Sequence, residues 1–168
     1  MAIVWRLEDD CLAPEARLRI DYTGPNPFKA YQIARELLMK VLEVGATRLW
    51  ERDFRWDITS DPRSFFCRIY VDKGIDARSR AFIEVTIQGL QPSDPTKDGK
   101  VTIYIGGRLI TLWTLESAFQ RLPIYRGIIW VYHKLFYNDV RRGYLKKCVG
   151  WIEDVWRVFR DTLSIPTA

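Results

Sequence analysis

The chain has 168 residues, a formal net charge of +5 and a hydrophobic fraction of 48%. A chain of this length can bury about two-thirds of the surface that its unfolded form exposes, so its core needs no disulfide or metal. Charged residues interrupt every apolar stretch well before the length of a bilayer span, and we expect neither secretion nor membrane insertion. We predict a single domain over residues 1–168.

The three cysteines, Cys11, Cys67 and Cys148, are widely spaced along the chain. Their odd number and spacing fit neither a disulfide framework nor a structural zinc site, which indicates a reducing, cytoplasmic location. Arginine outnumbers lysine, and charges of both signs interleave along the predicted strands. Such surfaces are typical of heat-adapted proteins, so we expect a thermophilic source.

Residues 3–7 and 16–22 alternate between apolar and polar side chains, as half-buried strands do, and we predict that they form a hairpin. The breaker Thr23-Gly24-Pro25 follows. Asn26 is placed to cap a helix that begins at Pro27, runs for about 18 residues and ends at Gly45.

Four further strands are predicted at roughly 47–58, 64–73, 79–89 and 100–113, each with one apolar face. Gly106-Gly107 inside the last strand indicates a bulge or tight bend. Over residues 116–164 the apolar period becomes helical. The predicted fold is α+β: a single antiparallel sheet of about six strands, packed on one face by the helix after strand 2 and by C-terminal helices, in a two-layer, helix-grip-like arrangement.

Glu51, Asp53 and Asp57 alternate along one predicted strand and should project together from its polar face. Crowded carboxylates can bind a hard cation or divide acid and base roles, but neighbouring arginines favour ordinary surface ion pairs. His133 is the one histidine of the sequence, so the usual transition-metal and Cys–His sites cannot form around it. We predict no catalytic, metal or cofactor site, and a non-enzymatic role is favoured.

The net charge lies in the C-terminal region: residues 1–120 carry 17 bases and 17 acids, whereas residues 121–168 carry 9 bases and 4 acids. Bases there are interleaved with aromatic residues, a mixture that can bind phosphates and stack on nucleobases or dock on an acidic protein. The candidate partner-binding residues are Arg121, Arg126, Trp130, Lys134, Arg141, Arg142, Lys146 and Lys147.

The segment Ile128–Val131 is apolar on nearly all sides. Two interpretations remain open: this helix is buried on several faces, or it presents a patch to another protein, which a homo-oligomer would also satisfy. A curved sheet around a C-terminal helix can in addition enclose an apolar cavity of the kind that holds a small molecule.

The order of elements resembles the helix-grip arrangement of START-like and polyketide-cyclase-like ligand carriers. That resemblance implies a carrier of an apolar small molecule. The segments Tyr22–Phe28, Phe54–Pro62 and Gly89–Pro95 are similar to those of a family of uncharacterised archaeal proteins. This second resemblance implies an archaeal source and brings no activity or site residue with it.

The leading prediction is a non-enzymatic binding protein that docks on an acidic partner through its C-terminal helices. The partner is either RNA or a ribonucleoprotein, or an acidic protein. The alternative is a carrier or sensor of an apolar small molecule in a cavity between the sheet and the C-terminal helix.

Overall fold

A computed structural model describes residues 3–94, 96–115 and 122–164. The strands are β1 (Ile3–Asp10), β2 (Leu18–Pro25), β3 (Leu49–Trp56), β4 (Arg63–Gly74), β5 (Ser79–Gln91) and β6 (Asp98–Leu115). The helices are α1 (Lys29–Leu42), α2 (Pro123–Tyr132) and α3 (Asn138–Thr162), with a π-helical turn at His133–Tyr137. The predicted α+β class is confirmed, with one antiparallel sheet of six strands and α3 packed on it.

The first two strands do not pair with each other. The sheet order is β1-β6-β5-β4-β3, and β2 pairs with β6 as well. β1 lies beside the second half of β6 and β2 beside its first half, as the pairs Glu8↔Ile110 and Ile20↔Ile103 show. The predicted hairpin is therefore wrong, because a two-residue period identifies a strand without identifying its partner.

Gly106 and Gly107 lie in β6 where β1 ends and β2 begins. The pairing of β6 with β5 runs through both glycines without a shift, so the predicted bulge is wrong. A Cβ on Gly106 would lie 3.1 Å from the carbonyl oxygen of Ala16, and a Cβ on Gly107 would lie 2.8 Å from Cδ1 of Ile152. The glycines instead allow close approach, one to the β1–β2 connection and the other to α3.

The ends of α1 also differ from the prediction. Its N-cap is Phe28, which makes no side-chain capping bond, and Asn26 adopts a left-handed φ of 49°. At the other end Glu43 takes the left-handed C-cap position, with φ 51°, so the helix ends before Gly45. The backbone N–H of Val44 then donates to the carbonyl of Met39, which satisfies one of the free carbonyls of the last turn.

The core lies between the sheet and the two helices α1 and α3. We call the sheet face that contacts these helices the inner face, and the opposite one the outer face. Alternate residues of the central strands are fully buried on the inner face, and each contributes about 1.5–3 kcal/mol through burial of its apolar side chain. Typical members are Ile83, Val85 and Ile87 of β5, Ile103 and Ile105 of β6, Leu38 and Leu42 of α1, and Ile152, Val155 and Phe159 of α3.

Cys11, just after β1, forms a disulfide with Cys148 of α3, across a sequence separation of 137 residues. The prediction that the cysteines form no disulfide is therefore wrong. Spacing along the sequence could not reveal this pair, because the two residues meet only when α3 crosses the inner face beside β6. Cys67 is free and buried.

Candidate docking surface

The C-terminal elements form one continuous helical segment, Pro123–Thr162. Tyr132, Tyr137 and Asn138 stand at the junctions between α2, the π-helical turn and α3, and all three have right-handed helical backbone angles. A π-helical turn holds more residues than an α-helical turn, so it changes the side of the segment on which an apolar stripe lies. The apolar stripe of α3 faces the core, whereas that of α2 does not.

Four apolar residues of α2 and the π-helical turn form a stripe on the solvent side. Ile124, Ile128, Val131 and Leu135 follow one another at intervals of four, three and four residues, which is the spacing of a heptad seam. Their exposed fractions are 78%, 62%, 45% and 65% respectively. Within α2 the one buried residue is Ile129, on the opposite side. We call these four exposed residues the apolar seam.

Other large apolar side chains extend this surface, so the segment is not buried on several faces. Monomeric soluble proteins rarely expose contiguous apolar patches of more than a few hundred Å² without a binding role. The additional exposed residues are Leu122, Trp130, Tyr132, Phe136 and Val140.

The predicted partner-binding residues are distributed along the same segment. Arg141 pairs with Asp9 of β1 and so holds α3 to the sheet. Trp130 is 53% exposed beside the apolar seam. Arg121 and the side chain of Lys134 lie outside the described residues. The remaining four are exposed: Arg126, Arg142, Lys146 and Lys147.

The charge of this surface has one sign. No acidic residue occurs from residue 122 to residue 138, and Asp139 is the one acid between residues 122 and 147. The same stretch contains six bases. The apolar seam is therefore accompanied by positive potential, which would attract an acidic partner during encounter.

Several contacts hold the start of α3 in place. The hydroxyl groups of Tyr137 and Ser79 are 2.8 Å apart and share a hydrogen bond. The Tyr137 ring packs edge-on against Trp113, with centroids 5.8 Å apart. About two turns further along, the Tyr144 hydroxyl donates to Asp76 at 2.9 Å. These contacts fix the π-helical turn against the sheet and so set the direction in which the apolar seam faces.

The three candidate carboxylates of β3 do not share one face. A register shift between Glu51 and Asp53 places Arg52 in a bulge. Glu51 therefore lies towards the helices and accepts a hydrogen bond from the Tyr31 hydroxyl at 3.1 Å, whereas Asp53 and Asp57 lie on the outer face. Among the described residues no three His, Cys, Asp or Glu side chains are grouped so that they could hold a metal ion.

The outer face instead carries shared ion pairs. Glu84 lies 3.4 Å from the guanidinium of Arg17 and 3.7 Å from that of Arg68. Asp72 is shared in the same way by Arg48 and Arg80, each at 3.2 Å. Such networks stabilise more than isolated surface pairs do.

The side of α3 that faces the core is closely packed against the sheet. The side chains of Cys148, Ile152, Val155 and Phe159 are fully buried against the sheet. Cavities of about 580, 250 and 100 Å³ open on the outer face. A further cavity of about 280 Å³ lies beside α3, between Leu18 of β2 and the α3 residues Glu153, Trp156 and Arg157. None of the described helices is both long and apolar enough to cross a bilayer.

Comparison with known proteins assigns no family. No protein-family model matches the chain, and no curated protein matches it. One solved structure with partial similarity is described as "Structure of Protein of Unknown Function SA2116 from Staphylococcus aureus". It is 8% identical over 91% of this chain and 99% of its own, with a TM-score of 0.23. A similarity at that level carries no argument about fold or function.

Proposed function

We propose that this protein is a non-enzymatic docking protein whose apolar seam binds an acidic protein partner. The observation that carries the proposal is the exposure of Ile124, Ile128 and Leu135, each more than 60% accessible on the helical segment. Helices of soluble proteins turn such a stripe towards a core. A partner helix or groove would supply the missing apolar contact.

Charge distinguishes an acidic partner from a second copy of the chain. In a symmetric pair of these helices, the basic surface around Arg126 of each copy would lie near that of the other, with no acid in the sequence from residue 122 to residue 138 to neutralise it. Like charges brought together in this way destabilise an interface. A partner with apolar residues flanked by Asp or Glu complements both features.

Exposed aliphatic side chains also favour protein over RNA. Ile128, Val131 and Leu135 neither stack on bases as aromatic rings do nor contact phosphates. The basic residues alone would suit RNA, so binding of RNA is one outcome of the test. The carrier of an apolar small molecule is less favoured, since the cavity beside α3 measures about 280 Å³, which is below the usual range of about 300–1,000 Å³.

We also infer a cytoplasmic location in a heat-adapted cell. Shared ion pairs such as those of Glu84 and Asp72 are typical of heat-adapted surfaces. A disulfide such as Cys11–Cys148 is compatible with the cytoplasm of a hyperthermophile, where intracellular disulfides persist.

The experiment measures binding of a synthetic helical peptide with a Leu heptad seam and Glu at the flanking positions, by fluorescence anisotropy at several salt concentrations. We expect binding that weakens with salt and is lost in Ile128→Asp. Ile58→Asp is the matched control, because Ile58 is 70% exposed on the connection after β3, outside the helical segment.

A second variant separates charge from apolar contact. Replacing Arg126, Arg142, Lys146 and Lys147 by Glu should also remove binding, whereas Arg141 is left intact because it pairs with Asp9. Equal binding of a Lys-flanked peptide, or unchanged binding by Ile128→Asp, would contradict the proposal. Preferential binding of RNA by the wild type, lost in the Glu variant alone, would replace protein by RNA as the partner.

A further inference from the structure

The outer face contains a trough of about 580 Å³ at the end of the sheet where β6 begins. Four of its residues lie in one line across the sheet, because each is paired with the next: Arg55, Phe66, Gln88 and Thr102. The adjacent line contains Ser64, Leu90 and Lys100. The volume lies within the range of about 300–1,000 Å³ that is usual for small-molecule sites.

The Phe66 ring and the Arg55 guanidinium line the floor of the trough, and the guanidinium of Arg68 lies close to the same ring. The guanidinium carbons of Arg55 and Arg68 lie 5.8 and 5.5 Å from the centroid of the Phe66 ring. Both an aromatic ring and a guanidinium plane present a flat surface on which a nucleobase stacks. The floor therefore suits a planar aromatic ligand.

The polar groups beside this floor can contact the edge of such a ligand. Gln88 is exposed and, among the described residues, makes no hydrogen bond, so its amide offers two donor hydrogens and an acceptor oxygen. The Thr102 hydroxyl donates to Asp21 at 2.8 Å, which leaves its oxygen free to accept. A base has donors and acceptors in its plane that match these groups.

The two sides of the trough differ in charge. On the β3 side, Asp53 is bound by Arg55 through two hydrogen bonds of 3.2 and 3.1 Å. Hydrogen bonds from the Thr59 hydroxyl and backbone N–H hold the pKa of Asp57 below its usual value, so this carboxylate stays negative at neutral pH. On the opposite side, Lys100 is exposed and has no ion-pair partner within the described ranges. On the β3 side Arg55 is engaged by Asp53 and Asp57 is in excess, so a phosphate is better placed beside Lys100 on the β6 side.

We propose that the trough binds a nucleoside monophosphate unit, with its base on Phe66 and its phosphate at Lys100. Strands two apart in a sheet are separated by roughly 10 Å, a distance that the base, the ribose and the lysine side chain together span. The unit comes either from a free nucleotide or from one residue of a single-stranded RNA. The chemistry of recognition is the same for both sources.

The test is a titration of ¹⁵N-labelled protein with AMP, CMP, GMP and UMP to millimolar concentration, and in parallel with a short single-stranded RNA. We expect chemical-shift changes at Gln88 and Thr102. Phe66→Leu, which keeps an apolar side chain but removes the ring, should weaken binding by about tenfold, in line with the loss of one stacking contact. Lys100→Gln should weaken it as well, whereas Lys146→Gln, on the helical segment, is the matched control.

Each outcome decides the proposal. Binding of mononucleotides that depends on Phe66 supports a free nucleotide, and binding of the oligonucleotide alone with the same dependence supports single-stranded RNA. No binding of either, or binding that depends on Lys146 and not on Phe66, would overturn it. Circular dichroism checks the fold of each variant, and Gln88→Ala, an exposed change on the same line, gives an independent readout if Phe66→Leu fails to fold.

Discussion

At Gly107 a single hydrogen atom occupies the place where a side chain would meet α3. An added Cβ would lie 2.8 Å from Cδ1 of Ile152 and 3.5 Å from the sulfur of Cys148. By contrast, a Cβ on Gly143, inside α3, meets nothing within 4 Å. A side chain at position 107 would therefore clash with α3, whereas a side chain at position 143 would extend into open space.

Gly107→Ala should lower the free energy of unfolding by about 1–3 kcal/mol, because extra volume in a packed core forces neighbouring side chains to move. Gly143→Ala should raise it by about 0.5–1 kcal/mol, since alanine loses less backbone entropy than glycine in a helix. Urea denaturation measures both changes. Equal effects of the two substitutions would contradict the close packing of α3 on β6.

Burial raises the pKa of the Cys67 thiol to about 12, and the charge of Glu51 adds to this effect. The unfolded chain releases the same proton near pH 8.5, so the folded state holds it more tightly. The resulting stabilisation is complete below about pH 8.5 and is lost as the pH rises towards 12, by up to about 1.4 kcal/mol per pH unit.

We expect the free energy of unfolding to fall between about pH 8.5 and 9.5, a range below the ordinary pKa of tyrosine, so that the raised pKa of Tyr31 contributes little. Cys67→Ala should reduce that slope while lowering stability modestly at neutral pH. The measurement is a series of urea titrations at increasing pH for both proteins. Identical slopes would mean that the Cys67 thiol is not responsible.

At the scale of elements, the predictions that hold are those that depend on local pattern. Alternating or helical apolar periods identified all six strands and the two helices α1 and α3. The apolar alternation does not predict which face a side chain occupies where one extra residue interrupts the strand. The bulge at Arg52 places Trp50 on the outer face, where it contacts Phe82, whereas Phe54 and Trp56 of the same strand lie on the inner face.

The exposure of the apolar seam on the helical segment could not be predicted from the sequence either. The seam residues have core spacing, and the sequence left open whether they are buried or exposed. The π-helical turn between α2 and α3 decides the answer, and it has no marker in the local residue pattern.

The Cys11–Cys148 disulfide joins the end of β1 to α3 and closes a loop of 137 residues. Closing a loop of this size restricts the unfolded chain, so we expect the double substitution of Cys11 and Cys148 by Ser to lower the free energy of unfolding by about 2–5 kcal/mol. Dithiothreitol should lower the wild-type value similarly and leave the variant unchanged. A thiol titration of the native protein that finds all three cysteines free would contradict the disulfide.

At the scale of the whole molecule, the chain carries an almost neutral sheet and a basic helical end. Charge position was visible in the sequence, because counting residues is enough to place the excess after residue 120. The sequence did not show which of these basic residues pair with the sheet and which are exposed. Arg141 pairs with Asp9 of β1, while Arg142 and Lys146, close to it in sequence, are exposed. Only the course of α3 across the sheet distinguishes them.

The outer-face trough was likewise absent from the sequence analysis. Its members come from four strands, and register alone brings Arg55, Phe66 and Gln88 into one line. Their sequence positions are too far apart for any motif to connect them. Contacts that depend on the pairing of strands far apart in the sequence are the hardest to predict from the sequence.

The central claim is that the apolar seam contacts an acidic protein. The most direct measurement places a photo-crosslinking amino acid at position 128 in cells of the source organism, with position 58 as the matched exposed control. We predict a crosslinked product from position 128 alone, joined to another protein through a peptide rich in Asp and Glu. A product made of two copies of this chain, the same products from both positions, or no product from position 128 would contradict the claim.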